Sequence, residues 1–472
     1  MAKLKSSKHV QFGKEPGLWQ GEIPNTSLEN HTVNDVIESI NCLFRRGQYI
    51  ELKHNMDIPE FEYVNVNNHF QGIQRIGDHI ILSGASKRSR HAHLFIARVD
   101  RQKRYSQTAL GTNVLFKVIP LGDSLKEIIC ISKDEYWHAG GISLCGDILV
   151  IPLEGEIAVN GEGINVSKII FYNLKNPIAP VEYPRSIVRR KQKAGAATVV
   201  KLNKRFLCAV WTDSDQYGKR FDFYLSKSNS IVDGFKKSKT VSLDKISDRT
   251  GRVPRFQTIE FVQESDGKLF IIGYLNTRKA APVFNGRNKC YIYKCDYSLV
   301  DDKLNIALAE VYSREFDDGG RQYNMGGATG SYIQKNGNLL LYSAHHWKTK
   351  KSIKLAEFDC RLPLAKASIQ SIKHAVCECY EHKYFKGRCI LLYGDIISEI
   401  ESFKKIKVQG RGFNDKLSSL RFQLPKTHTI IFYEHEAFKG KAIKFMGTGK
   451  VESIPDFNKQ NDRFSSLKIV KS

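Results

Sequence analysis

Short apolar runs alternate with turn-forming residues from about residue 61 onwards. The runs are rich in Val, Ile, Phe and Tyr, and Gly, Asn, Asp and Ser separate them, which is typical of short β-strands joined by turns. Before residue 61 the chain is polar and irregular, except that Val33, Val36, Ile37 and Ile40 follow the helical period. The pattern predicts an all-β domain over 61–368, preceded by an arm (1–60) whose short amphipathic helix lies on the main body.

One phrase recurs five times in the β region: a small-residue turn and a strand, then a Gly or Asn turn and a more apolar strand. The copies begin near residues 70, 139, 196, 257 and 327. A period of about 55–70 residues fits four strands, which is one blade of a β-propeller. We predict about five blades, with glycines where the inner strands crowd the axis. The segment before 61 or the one after 350 could complete a sixth blade. A β-sandwich is the alternative, but it does not account for five similar phrases.

A second repeat occupies the last fifth of the chain. Tyr380 and Gly387, with Phe385 between them, are matched by Tyr433, Phe438 and Gly440. Each set is followed by Asn-Asp-x-x-Ser-Ser, at 414–419 and at 461–466. Two elements that recur in the same order indicate one supersecondary unit used twice. The boundary between this region and the propeller is predicted between 364 and 374.

Residues 374–472 therefore resemble the βγ-crystallin family, through both the hairpin pattern and the loop motif. The resemblance implies a double Greek-key β-sandwich with two calcium sites. In each site the loop would supply a carboxylate, a backbone carbonyl and a hydroxyl, and the hairpin of the other half would supply a further carbonyl. The implied ligands are Asn414, Asp415, Lys416 and Ser418 with Glu434 for the first site, and Asn461, Asp462, Arg463 and Ser465 with Glu381 for the second.

The residue types agree with this expectation, because calcium prefers carboxylate, carbonyl and hydroxyl oxygens. With few formal charges in each loop, we expect an affinity in the micromolar range or weaker. The alternative is that the Asn, Asp and Ser side chains only hydrogen-bond their own turns. The first half has a longer connection between hairpin and loop, so its site departs further from the compact pattern.

The charge and the cysteine content of the chain say less about its function than the two repeats do. The chain has 73 basic and 49 acidic residues, a net charge of +24 at pH 7, which can attract polyanions. Basic runs at 88–91, 101–104 and 189–193 are not interleaved with aromatic residues, and no nucleic-acid-binding motif is present. Nucleic acid therefore stays a possible partner through charge alone. The ten cysteines are scattered without a C-x-x-C pair and are expected to be buried hydrophobes.

The sequence contains no apolar run long enough to span a bilayer, and no apolar block follows the basic start. We therefore expect a soluble monomer that is cytoplasmic or exported without a classical signal peptide.

Candidate chemistry in the propeller lies where strands meet the axis. The predicted ligand-binding residues are His69, His138, Gln257, Asn324 and His345, and His138 is also the weak candidate for catalysis. A glycosidase would need two carboxylates, and the available ones are Asp213, Asp215, Glu260, Asp317 and Asp318. These carboxylates do not recur at equivalent positions of the repeats, and the common hydrolase and phosphate-loop motifs are missing from the sequence.

The sequence thus predicts a non-enzymatic ligand-recognition protein, with a propeller that binds a glycan or another polyanion and a terminal module that binds Ca²⁺. One alternative is a propeller polysaccharide hydrolase or lyase with an accessory βγ-crystallin domain. A second alternative is a structural or stress-related calcium-binding protein.

Overall fold

The computed structural model describes residues 14–20, 31–43, 45, 47–53, 68–86, 90–99, 125–159, 162–214, 218–243, 254–276, 287–316, 323–334, 337–345, 352–359, 376–384, 386–393, 399–405, 407–408 and 411–471. Almost all regular structure in this part is β. The described residues fall into two compact units, one ending at Phe358 and the other beginning at Asp359. The predicted boundary at 364–374 lies outside the described residues. No described helix is long and apolar enough to cross a membrane.

Residues before the first repeat form β1 (Gly17–Leu18), α1 (Val36–Cys42) and β2 (Gln48–Lys53). The Asp35 side chain accepts a hydrogen bond from the Glu38 N–H and caps the helix. At the other end Arg314 donates to the carbonyls of Ile40 and Leu43, where the helix ends. The predicted helix is therefore present, and its apolar side is buried in the first unit.

Each of the five repeats forms one sheet, and the strand pairs within a repeat are antiparallel, so the predicted β-propeller is confirmed. Sheet 1 contains β3 (Asn68–Ile76), β4 (His79–Ser86), β5 (His91–Arg98) and β6 (Leu125–Lys133). Sheet 2 contains β7 (His138–Ala139), β8 (Ser143–Cys145), β9 (Ile148–Val159), β10 (Glu162–Asn173), β11 (Val181–Glu182) and β12 (Ile187–Arg190), and β1 joins it beside β11.

Sheet 3 contains β13 (Ala196–Leu202), β14 (Arg205–Ser214), β15 (Gly218–Ser226) and β16 (Phe235–Ser242). Sheet 4 contains β17 (Thr258–Gln263), β18 (Leu269–Asn276), β19 (Asn288–Val300) and β20 (Lys303–Phe316). Sheet 5 contains β21 (Ala328–Ile333), β22 (Leu339–Ala344), β23 (Ser352–Phe358) and the early strand β2.

The fifth sheet closes the propeller. Strand β2 pairs antiparallel with β23, with Ile50 opposite Leu355. The segments before 61 and after 350 therefore complete the fifth sheet instead of adding a sixth. A buried ion pair between Arg75 and Glu357, 3.2 Å apart, links sheet 1 to sheet 5. The first and last repeats are thus joined by both strand pairing and charge.

The first strands of the sheets lie next to one another at the axis, and glycine allows their close approach, as predicted. The Gly141 N–H donates to the Gly195 carbonyl at 2.9 Å. A Cβ on Gly140 would lie 2.3 Å from the Gly195 carbonyl oxygen, and one on Gly330 would lie 1.8 Å from that of Ile73. Side chains at these positions would push neighbouring blades apart.

The second unit has two four-stranded sheets. One contains β24 (Val376–His382), β25 (Lys386–Tyr393), β29 (Ser419–Gln423) and β32 (Val451–Ile454). The other contains β26 (Glu399–Ile400), β30 (His428–His435), β31 (Lys439–Met446) and β33 (Ser466–Lys471). A short ribbon is formed by β27 (Lys407–Val408) and β28 (Arg411–Gly412). Each half lends a strand to the other half's sheet, and one apolar core lies between the sheets. This is the predicted double Greek-key sandwich.

The cysteines at 42, 130, 145, 208, 290, 295, 377 and 379 are free thiols, and all of these but Cys42 are buried, as expected. Burial raises the pKa of Cys145 and of Cys290 to about 12. These two thiols are therefore uncharged at neutral pH and act as small hydrophobic side chains.

Candidate functional site

Five polar side chains meet at the propeller axis, and we call them the axial polar cluster: His69, Gln71, His138, Glu154 and Gln257. They come from β3, β7, β9 and the residue before β17, so sheets 1, 2 and 4 all contribute. The pairing of β3 with β4 shifts between Phe70 and Gly72. This bulge gives Gln71 an extra position in the strand, and bulges commonly redirect a side chain in this way.

Gln71 connects the members of the cluster. Its carboxamide nitrogen lies 3.0 Å from His138 Nε2 and also contacts His69 Nε2. Its carboxamide oxygen accepts a hydrogen bond from Gln257 Nε2. The rings of His69 and His138 are 5.7 Å apart, and the Trp137 ring lies 5.2 Å from His138. Three of the five predicted ligand residues are thereby brought together.

Glu154 holds the other side of His138. Strand β9 places Glu154 opposite His138, with the carboxylate 3.4 Å from Nδ1. The other carboxylate oxygen accepts the Ala194 N–H at 2.7 Å, just before sheet 3 begins. Burial tends to raise the pKa of Glu154, but the hydrogen bonds from His138 and Ala194 outweigh it and lower the pKa. The carboxyl group is therefore ionised at neutral pH.

A second polar layer lies further along β3 and β17 and includes a residue of β21. We call it the inner layer: Gln74, Glu260 and Ser331. Gln74 donates to Glu260 and, at 3.2 Å, to the Ile142 carbonyl. The Ser331 N–H lies 2.8 Å from both Glu260 oxygens, and the Ser331 hydroxyl also donates to Glu260. Burial raises the pKa of Glu260 despite these bonds. Glu260, a carboxylate considered for catalysis, thus lies in a network that joins the blades.

Other predicted propeller residues are used differently. The Asn324 side chain accepts the Gly326 N–H at 2.7 Å and so stabilises its own turn. The His345 N–H donates to the Lys354 carbonyl at 2.8 Å, between β22 and β23. Asp213 lies 3.6 Å from Arg255 Nε. The carboxylates Asp215, Asp317 and Asp318 lie outside the described residues.

The sequence-based prediction missed Gln71 and Glu154. Glu154 gave only an approximate signal. The turn at 146–147 pairs Cys145 with Ile148, which extrapolates to Gly155 opposite His138, and the break between β7 and β8 shifts the register by one residue to Glu154. Gln71 gave no such signal, since its orientation depends on a bulge that the hydrophobic pattern does not reveal.

The longest basic run is only partly available to ligands. Arg189 is buried and forms an ion pair with the buried carboxylate of Asp222 in sheet 3. Arg189 also donates to the Lys193 carbonyl at 2.6 Å and to the Thr212 hydroxyl at 2.8 Å. This arginine therefore stabilises the contact between sheets 2 and 3 and does not form part of an exposed basic patch.

In the second unit the two predicted loops contact each other crosswise. The Ser418 hydroxyl donates to Asp462 Oδ1 at 2.8 Å, and the Ser465 hydroxyl donates to Asp415 Oδ1 at 2.9 Å. Backbone bonds repeat the symmetry, because the N–H of Asp415 donates to Phe464 and that of Asp462 to Leu417. Each hydroxyl therefore lies beside the carboxylate of the other loop.

The hairpins lie beside the hydroxyls of their own halves. The Ser418 N–H donates to the Tyr380 carbonyl and the Ser465 N–H to the Tyr433 carbonyl, both at 2.9 Å. Glu381 and Glu434 directly follow these two tyrosines. The backbone bonds thus place Glu381 next in sequence to the partner of Ser418, and Glu434 next to the partner of Ser465.

The remaining loop residues take supporting positions. Asp415 and Asp462 have φ angles of 50° and 57°, a left-handed conformation that Asp tolerates. Asn414 donates to Asp415 at 2.6 Å, and Asn461 donates to Asp456 at 2.8 Å. The side chains of Lys416 and Arg463 are exposed.

A cation at these loops would have oxygen ligands of several kinds. Among the described residues, no three His, Cys, Asp or Glu side chains are grouped to hold a metal ion. The loops instead offer one carboxylate and one hydroxyl together, near hairpin carbonyls, and this donor chemistry fits a hard cation such as calcium.

No family model matches this chain, and no curated protein matches it. Solved structures similar to it are of two kinds. A βγ-crystallin domain from Clostridium beijerinckii is 22% identical, with 21% of this chain and 99% of that chain covered and a TM-score of 0.16. An α-L-arabinofuranosidase from Podospora anserina is 10% identical, covering 67% and 98%, with a TM-score of 0.34. Another, from Clostridium thermocellum, is 15% identical, covering 51% and 72%, with a TM-score of 0.26. The architecture assigned above rests on the chain's own strand pairing.

Proposed function

We propose that this chain is a calcium-binding, ligand-recognition protein whose propeller binds a glycan at the axial polar cluster. The observation that carries the proposal is the convergence of two imidazoles, two carboxamides and one carboxylate from three sheets. A few convergent polar groups in a concave site are typical of small-molecule recognition.

The chemistry of the cluster favours a hydroxyl-rich ligand over a polyanion. Carboxamides and neutral imidazoles both donate and accept hydrogen bonds, which suits hydroxyl groups. Trp137, beside His138, offers an apolar ring surface for the face of a sugar. Glu154 adds a negative charge that would repel a polyanion at the same place. The burial of Arg189 also reduces the basic surface that a polyanion could use.

A glycan array with the full-length chain tests this proposal. We expect binding that Gln257→Ala weakens at least tenfold, while Lys239→Ala, an exposed lysine on β16, leaves it unchanged. Binding that is equal in both variants, or binding only to sulfated glycans that salt abolishes, would contradict a site at the cluster.

A polysaccharide hydrolase or lyase is the second candidate, and the contact between His138 and Glu154 favours it. A carboxylate that holds one ring nitrogen leaves the other available for proton transfer. The array's ligands should be incubated with the chain and assayed for reducing ends and for unsaturated products. Turnover that His138→Asn abolishes without loss of binding would establish an enzyme, whereas binding without turnover supports the leading proposal.

We further propose two composite calcium sites in the second unit. One would combine the Asp415 carboxylate, the Ser465 hydroxyl and the Glu434 carbonyl, and the other Asp462, Ser418 and Glu381. The crossed contacts of 2.8 and 2.9 Å support this grouping. Carbonyls of Lys416 and Arg463 remain candidates for further ligands, with Asn414 and Asn461 orienting the loops. Each hydroxyl would turn its proton away from the carboxylate when the cation binds.

Calorimetric titration of double variants distinguishes the crossed grouping from two sites that each use one loop. If the sites are crossed, Asp415→Ala with Ser465→Ala removes one site and leaves the other. Asp415→Ala with Ser418→Ala should then remove both. The opposite pattern would support sites within single loops. No calcium heat in the wild-type chain would mean that the Asn, Asp and Ser side chains serve only the turns.

A further inference from the structure

Three contacts of the axial polar cluster follow one another from donor to acceptor, and the Gln71 amide nitrogen also contacts His69 Nε2 beside them. Gln257 donates its amide N–H to the Gln71 oxygen. Gln71 donates its own amide N–H to His138 Nε2 at 3.0 Å. His138 then presents Nδ1 to the Glu154 carboxylate at 3.4 Å. A chain of donors therefore passes from sheet 4 through sheet 1 to sheet 2 and ends on a carboxylate.

The chain determines which nitrogen of His138 carries the proton. A carboxamide nitrogen can only donate, so His138 Nε2 must accept. The proton of the neutral ring is then on Nδ1, where it faces Glu154, which can only accept. With the proton on Nε2 instead, two donors would face each other, and the Glu154 oxygen nearest His138 would lose its donor.

Glu154 is itself held in place. Its second oxygen accepts the Ala194 N–H at 2.7 Å, which fixes the carboxylate between sheets 2 and 3. The other charged or titratable groups that bear on the pair are His69, whose ring is 5.7 Å from that of His138, and Lys193, whose charge acts on Glu154. Among these groups, the Glu154 carboxylate is the acceptor in contact with His138 Nδ1.

We propose that Glu154 is a positioning residue for the ligand site, and this inference rests on the proposed function of the axial polar cluster. By holding His138 in the Nδ1-protonated form, Glu154 fixes the orientation of both glutamine carboxamides. A ligand at the axis then meets a constant pattern of donors and acceptors.

Histidine-selective ¹⁵N NMR on the full-length chain measures the tautomer directly and needs no ligand. The His138 signal is assigned by its loss in His138→Gln. At mildly alkaline pH the wild-type ring should show a protonated Nδ1 and an unprotonated Nε2. In Glu154→Gln the Ala194 N–H still donates to the side-chain oxygen at position 154, so the new amide nitrogen faces His138. The proton should then move from Nδ1 to Nε2.

Glu156→Gln is the matched control, because Glu156 is an exposed residue on the same strand. It removes the same charge and should leave the tautomer unchanged. An Nε2-protonated ring in the wild type would overturn the inference even if Glu154→Gln does not fold. An unchanged tautomer in a folded Glu154→Gln would overturn it as well. The NMR measurement could give the expected tautomers while the array shows no glycan binding. The effect of Glu154 on His138 would then stand, and the proposed glycan binding would be refuted.

Discussion

The axial polar cluster and the inner layer contain similar residues but differ in the environment of their carboxylates. Each links sheet 1 to sheet 4 through a glutamine of β3, Gln71 in one and Gln74 in the other. Three residues separate the layers, which is about 10 Å along a strand. Glu154 is partly exposed and has a lowered pKa, whereas Glu260 is buried and has a raised pKa.

The difference shows that depth and the charge of the partners decide what a carboxylate can do. Glu154 faces an imidazole that can become positive, so its ionised form is favoured even when partly buried. Glu260 faces neutral donors, among them Gln74 and Ser331, so burial dominates. The outer position suits ligand binding, and the inner position suits joining of the blades.

The largest loss in the free energy of unfolding should come from removing the Glu260 carboxylate of the inner layer. Glu260→Ala leaves the Ser331 N–H and the Gln74 amide without their acceptor in a buried place. We expect a loss of about 3 kcal/mol in the free energy of unfolding, measured by urea denaturation. Glu154→Ala, at the more exposed position, should cost about 1–2 kcal/mol. An equal or larger cost for Glu154→Ala would contradict the assigned difference in depth.

The pH dependence of stability should have opposite signs at the two carboxylates. The pKa of Glu154 in the folded chain is below its ordinary value of 4.5, so its stabilisation is complete above that pH. It is lost as pH falls through the lower folded value. The pKa of Glu260 is raised, so its contribution is most favourable below pH 4.5 and declines as pH rises through the folded value.

Urea unfolding of the wild type, Glu154→Gln and Glu260→Gln across this pH range checks both signs. The difference between the wild type and Glu154→Gln should shrink in acid, and the difference between the wild type and Glu260→Gln should shrink as pH rises. Parallel curves for the two variants would show that the environments of the carboxylates do not differ as described.

The smallest change in stability is expected at the exposed carboxylates of the second unit, which can be compared with the two at the propeller axis. Asp415 and Asp462 accept hydroxyl bonds across the loops of the second unit. In chelator, a double-mutant cycle of Ser418→Ala with Asp462→Ala should give a coupling of about 0.5–1 kcal/mol. The mismatched cycle of Ser418→Ala with Asp415→Ala is the control and should be additive. Coupling in the mismatched pair would contradict the crossed contacts.

The fold was largely predictable because its signals are local. Each propeller repeat carries its own turn and strand pattern, and the apolar spacing at Val36 and Ile40 is sufficient to indicate a helix. The strand that closes sheet 5 could not be predicted, since Gln48–Lys53 has no turn signal that identifies its partner. Pairing across the whole domain leaves no local trace in a sequence.

The candidate sites were predictable in part for the same reason. His69, His138 and Gln257 lie at strand starts, where the repeat itself pointed to the axis. Asn324 occupies a similar place, yet its side chain is used by its own turn. The loop motifs identified Asp415 and Asp462, but their crossed contacts depend on how the two halves pack together.

The closure of sheet 5 by β2 also constrains how the chain can fold during synthesis. Ile50 pairs with Leu355, roughly 300 positions later, so the contact is strongly non-local and slow to form. A ribosome at about 5–20 residues per second needs tens of seconds to bridge that interval. Until then the apolar residues Ile50 and Leu52 lack their partner strand. Folding of the propeller is therefore completed late, and a nascent chain is exposed to chaperones and to aggregation throughout that time.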